Sequence, residues 1–286
     1  MPDESRAAGS RRSEDPPRVV ASDLDGTLLR SDGTLSSRTA AAWRAVEEAG
    51  IVTVLVTARP PRWLDALSEL IASHGLAICG NGAFLYDVGR RRVIGSQGFD
   101  RADLLAVVAD LRAAVPGITF AAERASGPWV EPAYPDPHRE RGADTWVRAP
   151  LEDIDEEPVG KLLALAPTLS TDDLLRRVGT VVGDRGILAY SGAHALAEVN
   201  APGVTKAAAL ETWCAERGIG PAQVWAFGDM PNDIPMLSWA GRSYAVASGH
   251  GAALAAATDT CPANDEDGVA QVLERLVASV AGIPVR

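Results

Sequence analysis

The chain has 286 residues, 47% of them apolar, and a formal net charge of −11 at pH 7. That length and composition predict a globular enzyme of two domains, or of one domain with a large insertion. The acidic balance excludes nucleic acid and anionic membranes as expected partners, since both demand a basic surface. Cys79, Cys214 and Cys261 lie far apart with no paired spacing, which predicts reduced thiols in a cytoplasmic protein. Residues 1–17 are polar, charged and Pro-containing, so they read as a disordered tail without the character of a signal peptide. The uncharged stretch 243–258 is too broken by Gly, Ser and His to span a membrane.

The run Val19-Val20-Ala21-Ser22 reads as a buried strand, and it ends in Asp23-Leu24-Asp25-Gly26-Thr27. Ligands of parallel α/β sheets bind beyond the carboxyl ends of the strands, which places both aspartates in a crevice. Two acids this close repel each other unless a cation or a shared proton offsets the charge. Asp25-Gly26 between apolar runs is also a turn signal, and only more distant segments decide between the readings. A small hairpin is expected over 29–35. A helix capped by Ser36 or Ser37 follows and is stopped by Gly50. A strand over 51–56, a helix over 61–73 and a strand over Leu76–Cys79 continue the alternation of a parallel sheet.

The rhythm then changes. Short strands are expected over 85–98, a helix over 101–115 and a strand over 118–123. Next comes a Pro- and aromatic-rich loop over 126–150 that holds Trp129, Tyr134, His138, Arg139, Arg141 and Trp146. The acidic run 152–157 reads as a solvated loop. A strand over 161–166, a helix over 171–178 and strands over 187–190 and 195–199 complete an α+β segment. The α/β rhythm returns with a helix over 204–217, a strand over 224–227, a helix over 232–239, a strand over 243–247 and a helix over 267–279. The predicted fold class is α/β, with a Rossmann-like parallel-sheet core over 18–84 and 192–286 and an inserted α+β domain over 85–191.

Three further segments place polar groups at the ends of core elements. Thr57 ends the second strand, and the turn after it, starting at Ala58, offers backbone N–H groups to an anion. Lys206 begins a helix. Gly228-Asp229-Met230-Pro231-Asn232-Asp233 follows a strand and carries two more carboxylates. Each has an ordinary structural explanation: a cap, a surface charge, acids favoured at a helix start. Together they require four such ends to carry phosphate-handling residues by accident.

In this order the segments resemble the four motifs of the haloacid dehalogenase superfamily of phosphohydrolases. Asp23-Leu24-Asp25-Gly26-Thr27 is similar to the nucleophile motif, Thr57 to the phosphate-binding position, Lys206 to the third motif and 228–233 to the acidic motif. The insertion, preceded by Asn81-Gly82-Ala83 and followed by Glu198-Val199-Asn200-Ala201-Pro202-Gly203-Val204-Thr205-Lys206, resembles the Cof-like group with a type IIB cap. The segment Asn264-Asp265-Glu266-Asp267-Gly268-Val269-Ala270 resembles that group's ending. Ala207 stands where the group has Gly, and Ala247-Ser248-Gly249-His250 departs from its usual Asn-Ala pair.

The resemblance implies a Mg²⁺-dependent phosphatase acting on a small phosphorylated metabolite, with sugar phosphates among the candidates. It implies Asp23 as nucleophile and Asp25 as general acid and base. Asp23, the backbone carbonyl of Asp25, and Asp229 would hold Mg²⁺, while Asp233 orients the metal's waters or Lys206. Thr57, Ala58, Lys206 and Asn232 would bind the phosphoryl oxygens. A phosphomutase of the phosphomannomutase type is the alternative within the fold. A non-catalytic metabolite-binding regulator is the alternative outside catalysis, although such a module has no need of Asp25. The sequence leaves the oligomeric state open.

Overall fold

The computed structural model describes residues 15–64, 75–135, 146–190 and 194–282. The expected alternation organises the first half. Strand β1 (Val19–Ser22) leads into a tight turn, then helix α1 (Ser37–Glu48), β2 (Val52–Val56) and β3 (Leu76–Cys79). Ser36 caps α1 by accepting from the Thr39 N–H, and Gly50 leaves the helix at φ +82°. The segment 29–35 is a turn closed by Arg30 N–H to Thr34 O, not a pair of strands. Of the helix expected over 61–73, only a short turn at Pro61–Trp63 and Leu64 lie among the described residues.

Strands β4 (Phe84–Asp87) and β5 (Arg92–Ser96) follow. Then come α2 (Arg101–Ala114), β6 (Thr119–Glu123), β7 (Trp129–Val130), β8 (Val147–Arg148), β9 (Lys161–Leu165), α3 (Thr171–Val182), β10 (Ile187–Ala189) and β11 (Leu196–Asn200). The chain ends with α4 (Lys206–Ala215), β12 (Val224–Gly228), α5 (Ile234–Trp239), β13 (Arg242–Val246), α6 (Gly251–Ala256), β14 (Asp259–Cys261) and α7 (Gly268–Val280). The sequence reading lacks α6 and β14, both of six residues or fewer. It also stops α3 four residues early. No helix of the described residues is long and apolar enough to cross a membrane.

Two sheets result. The larger has eight strands in the order β14-β13-β12-β1-β2-β3-β4-β5, parallel from β14 to β3 and antiparallel beyond. The smaller has six, in the order β10-β11-β9-β6-β7-β8. Strands β4 and β5, expected in the insertion, therefore extend the first sheet, while β11, read with the α+β segment but falling inside the core bounds that start at 192, belongs to the second.

Helices cover both faces of the large sheet, and its central strands are buried on both sides as crossover topology demands. Along β1 the faces alternate. Val20 packs in the cluster that contains Trp43 and Val46 of α1, and Val19 and Ala21 in the cluster that contains Leu210 and Trp213 of α4. The three cysteines are free and buried.

Candidate active site

Sheet register gathers the catalytic candidates. Ser22 lies opposite both Phe227 of β12 and Leu55 of β2. Asp23 therefore emerges level with Gly228 and Val56, one residue before Asp229 and Thr57. The Asp23 N–H still donates to Phe227 O at 2.9 Å, so the nucleophile candidate is held on the last rung of the sheet.

Lys206 enters from the first turn of α4, whose start is fixed by Thr205 accepting from the Ala208 N–H. Gly82 sits at φ +111° against this start. A Cβ there would meet Thr205 O at 2.3 Å, so only glycine lets the two turns approach.

Lys206 Nζ donates to Asp23 Oδ1 at 2.5 Å and to Asp233 Oδ1 at 2.6 Å, with all three side chains buried. The other Asp233 oxygen accepts from the Asp229 and Met230 N–H groups at 3.0 and 2.9 Å. Both oxygens of Asp233 are thus engaged in holding the acidic loop and the lysine. Asp229 Oδ1 accepts from the Thr27 hydroxyl at 2.8 Å. Gly26, at φ +80°, leaves room for the other oxygen: a Cβ would lie 2.5 Å from Asp229 Oδ2. The divergent loop 247–250 anchors the backbone of Asp229, since the His250 N–H donates to the Asp229 carbonyl at 2.7 Å.

One lysine does not balance this much negative charge. Burial raises the Asp23 carboxyl well above its usual range; Lys206 opposes the shift, and Asp233 and Asp229 add to it. Burial raises Asp229 as well, against the Thr27 hydrogen bond. Burial alone would lower the Lys206 ammonium, but the two carboxylates outweigh it and hold the lysine charged.

Oxygen atoms of Asp23, Asp229 and Asp233 lie within 4.8 Å of one another. Hard oxygen donors, excess negative charge and a pocket kept open by Gly26 fit a small divalent cation such as Mg²⁺. Asp23 and Asp229 are placed to hold it; Asp233 is occupied by its own hydrogen bonds.

Asp25 points elsewhere. Its carboxylate is gripped by Arg59, Nε to Oδ2 at 2.8 Å and Nη2 to Oδ1 at 2.5 Å, and it remains half exposed. Thr57 Oγ1 accepts from the Arg59 N–H at 3.1 Å, which shapes the turn through Ala58. Asn232 donates to Asn81 Oδ1 at 3.2 Å.

A cavity of about 960 Å³ opens above these groups. Asp23, Asp25, Ala58, Lys206 and Asn232 line its floor, and the smaller sheet supplies Glu123, Lys161, Leu163, Leu196 and Glu198 opposite. Tyr134 lines it too. Trp129 does not: its indole donates to the Ala149 and Pro150 carbonyls at 3.1 Å each and is buried in the core. Strand alternation accounts for this, because its neighbour Val130 takes the cavity face. His138, Arg139 and Arg141 lie outside the described residues.

Several contributors escaped the sequence reading. Lys161 Nζ donates to Ala58 O at 2.6 Å and to Glu198 Oε2 at 2.7 Å, joining both sheets through a buried pair. Asn200 Nδ2 bonds the carbonyls of Gly80 and Gly160 at 2.8 Å each. Arg62 reaches across the cleft to Glu123 with both terminal nitrogens. Only Asn81, Glu198 and Asn200 carried a signal, as parts of the segments flanking the insertion.

Comparison with known proteins agrees with this geometry. The sequence pattern of the haloacid dehalogenase-like hydrolases matches residues 20–273. The chain is 28% identical over 272 residues to the pyridoxal phosphate phosphatase YbhA of Escherichia coli, covering 90% of this chain and 97% of that one. It is 30% identical over 237 residues to the HMP-PP phosphatase of Cronobacter sakazakii, covering 79% and 82%. A subclass IIB sugar phosphatase of the superfamily superposes with a TM-score of 0.74 at 21% identity, over 90% of this chain and 98% of that one, and so shares the fold. The chain belongs to the haloacid dehalogenase-like hydrolase family.

Proposed function

We propose that this hydrolase is a Mg²⁺-dependent phosphatase that hydrolyses a small phosphorylated metabolite through an aspartyl-phosphate. The observation that carries the reading is the buried cluster of Asp23, Asp229 and Asp233 around Lys206 at the floor of a large cavity. The names of the relatives from E. coli and C. sakazakii, both phosphatases of small phosphorylated compounds, support it.

In this reading an Asp23 oxygen attacks phosphorus as the bond to the leaving oxygen breaks, and Asp25 gives that oxygen its proton. Water then attacks the acyl phosphate, returns a proton to Asp25 and frees phosphate and Asp23. Lys206 and the turn through Thr57 and Ala58 neutralise charge on the non-bridging oxygens, and Asn232 orients them. Asp23, the carbonyl of Asp25, and Asp229 would hold Mg²⁺, whose positive charge offsets repulsion between carboxylate and phosphate. We further propose that α2, α3 and the six-stranded sheet act as a cap that excludes water and reads the leaving group.

Release of inorganic phosphate from a panel of phosphorylated metabolites, followed colorimetrically, tests the reading. Turnover is expected with Mg²⁺ and not with chelator or with Asp23→Asn. Turnover that survives both would overturn it.

A further inference from the structure

The turn after β2 is tied down by its carbonyls. Thr57 O accepts from the Asn81 N–H at 3.1 Å and Arg59 O from the Gly80 N–H at 2.9 Å, so both ends of the turn are held by the segment that follows β3 in the same sheet. The middle carbonyl has a partner of another kind. Ala58 O accepts from Lys161 Nζ at 2.6 Å, a side chain of β9 in the smaller sheet. Among the described residues no other donor reaches it.

The N–H groups of the turn complete the picture. The Thr57 N–H donates to Ile78 O at 2.8 Å and the Arg59 N–H to Thr57 Oγ1 at 3.1 Å. The Ala58 N–H has no acceptor among the described residues. A trans peptide points its N–H away from its own carbonyl. With Thr57 O turned toward Asn81, the Ala58 N–H is turned away from it, and Ala58 lines the cavity floor. A backbone N–H left over in such a turn is a donor for an anion.

Lys161 is itself held in place. Its second bond runs to Glu198 Oε2 at 2.7 Å, and that oxygen also accepts from Asn81 Nδ2 at 3.3 Å. Thr57, Asn81, Glu198, Lys161 and Ala58 thus form one closed ring of bonds across the two sheets, and bonds in a buried ring strengthen one another. The Ala58–Arg59 peptide is gripped at its oxygen by Lys161 and at its N–H by Thr57. Arg59, which clasps Asp25, hangs from that same peptide.

Resting on the phosphatase reading, we propose that Lys161 is a positioning residue. Through the Ala58 carbonyl it fixes the phosphoryl-binding turn, so the strength with which the larger sheet holds a phosphoryl group depends on a side chain of the smaller one. Lys161 acts without touching the substrate, because its ammonium is shared between Ala58 O and Glu198.

Hydrolysis of p-nitrophenyl phosphate and of acetyl phosphate, each with Mg²⁺ and with inorganic phosphate as competitor, tests this. Lys161→Met removes the donor but strands the buried Glu198 carboxylate. Combining it with Glu198→Gln removes both charges, so the net charge of the cavity wall is unchanged and nothing is stranded. In both proteins the inhibition constant of inorganic phosphate should rise about tenfold, the worth of one charge-assisted hydrogen bond. The value of kcat/KM should fall by a similar factor on both substrates, which share only the phosphoryl group. Glu198→Gln alone still accepts from Lys161 and Asn81, so it should hold inorganic phosphate at least as tightly as the unsubstituted protein.

A double variant that binds phosphate no more weakly than Glu198→Gln, whatever its Tm, overturns the assignment, since Lys161 would then serve only the stability of the smaller sheet. A loss on p-nitrophenyl phosphate without a loss on acetyl phosphate overturns it too, by making Lys161 a contact of the leaving group. Hydrolysis of neither substrate by the unsubstituted protein overturns the phosphatase reading instead.

Discussion

Replacing Lys206 by Met tests whether the lysine is the counter-ion that lets three carboxylates share one buried space. It contacts Asp23 at 2.5 Å and Asp233 at 2.6 Å, with side-chain exposures of 2%, 7% and 0% for Lys206, Asp23 and Asp233. Each contact contributes about 4 kcal/mol of attraction at the effective dielectric of a protein, set against several kcal/mol for burying the ammonium. Removing one partner of such a cluster while the others stay ionised costs about 3–5 kcal/mol. For a chain of this size that corresponds to a fall of roughly 10 °C in Tm.

The loss should depend on pH with a definite sign. Burial already raises the Asp23 and Asp229 carboxyls, and without Lys206 they rise further. A carboxyl raised in the folded state takes up a proton on folding, so its cost appears as pH climbs through the raised value and fades below it. Thermal unfolding of Lys206→Met in chelator, read by circular dichroism across a pH series, should therefore show a larger deficit at the higher pH than at the lower. A Tm equal to that of the unsubstituted protein at the higher pH would refute the counter-ion argument.

Asp23→Asn should keep the fold and lower kcat by more than about a thousandfold, which single-turnover and steady-state assays check. Chelator should abolish phosphate release and Mg²⁺ restore it. Ca²⁺ should inhibit, because its looser, higher coordination lets Asp23 bind it through both oxygens; a metal titration reads this. Gly26→Ala places a Cβ 2.5 Å from Asp229 Oδ2 at a φ of +80°, so it should weaken Mg²⁺ activation at least about tenfold while an Ala at exposed Gly33 does not. Tyr134→Ala should change KM and the ranking of natural metabolites yet spare acetyl phosphate, as a substrate panel would show.

Local patterning carried the core because its signals are short-range. The apolar run of β1, the Ser36 cap and the glycine after α1 each act within a few residues. The candidate site was legible because register between neighbouring parallel strands aligns their ends, so Asp23, Thr57 and Asp229 had to meet once β1, β2 and β12 were recognised. Sheet membership was not legible. Nothing local shows that β4 and β5 pair with β3, or that β11 pairs with β9, since partner choice is settled by long-range packing.

Trp129 illustrates a second limit: which face a two-residue strand presents depends on its register with β6 and β8. Arg59 and Arg62 are surface-type residues in a Pro-containing turn, and their roles arise from acids 34 and 61 positions away. Short elements such as α6 and β14 carry too few residues for a periodic signal to emerge.

Asn200 pins the seam between the two sheets. Its amide ties Gly80, just past β3, to Gly160, just before β9, beside the paired linkers at Phe99 and Val159. Gly160 lies so close to Phe84 that a Cβ would overlap the ring at 2.4 Å, leaving no slack at the joint. A methyl group added at Gly160 would therefore wedge the smaller sheet away from Phe84 and pull Lys161, the next residue, off the Ala58 carbonyl beside the cavity floor.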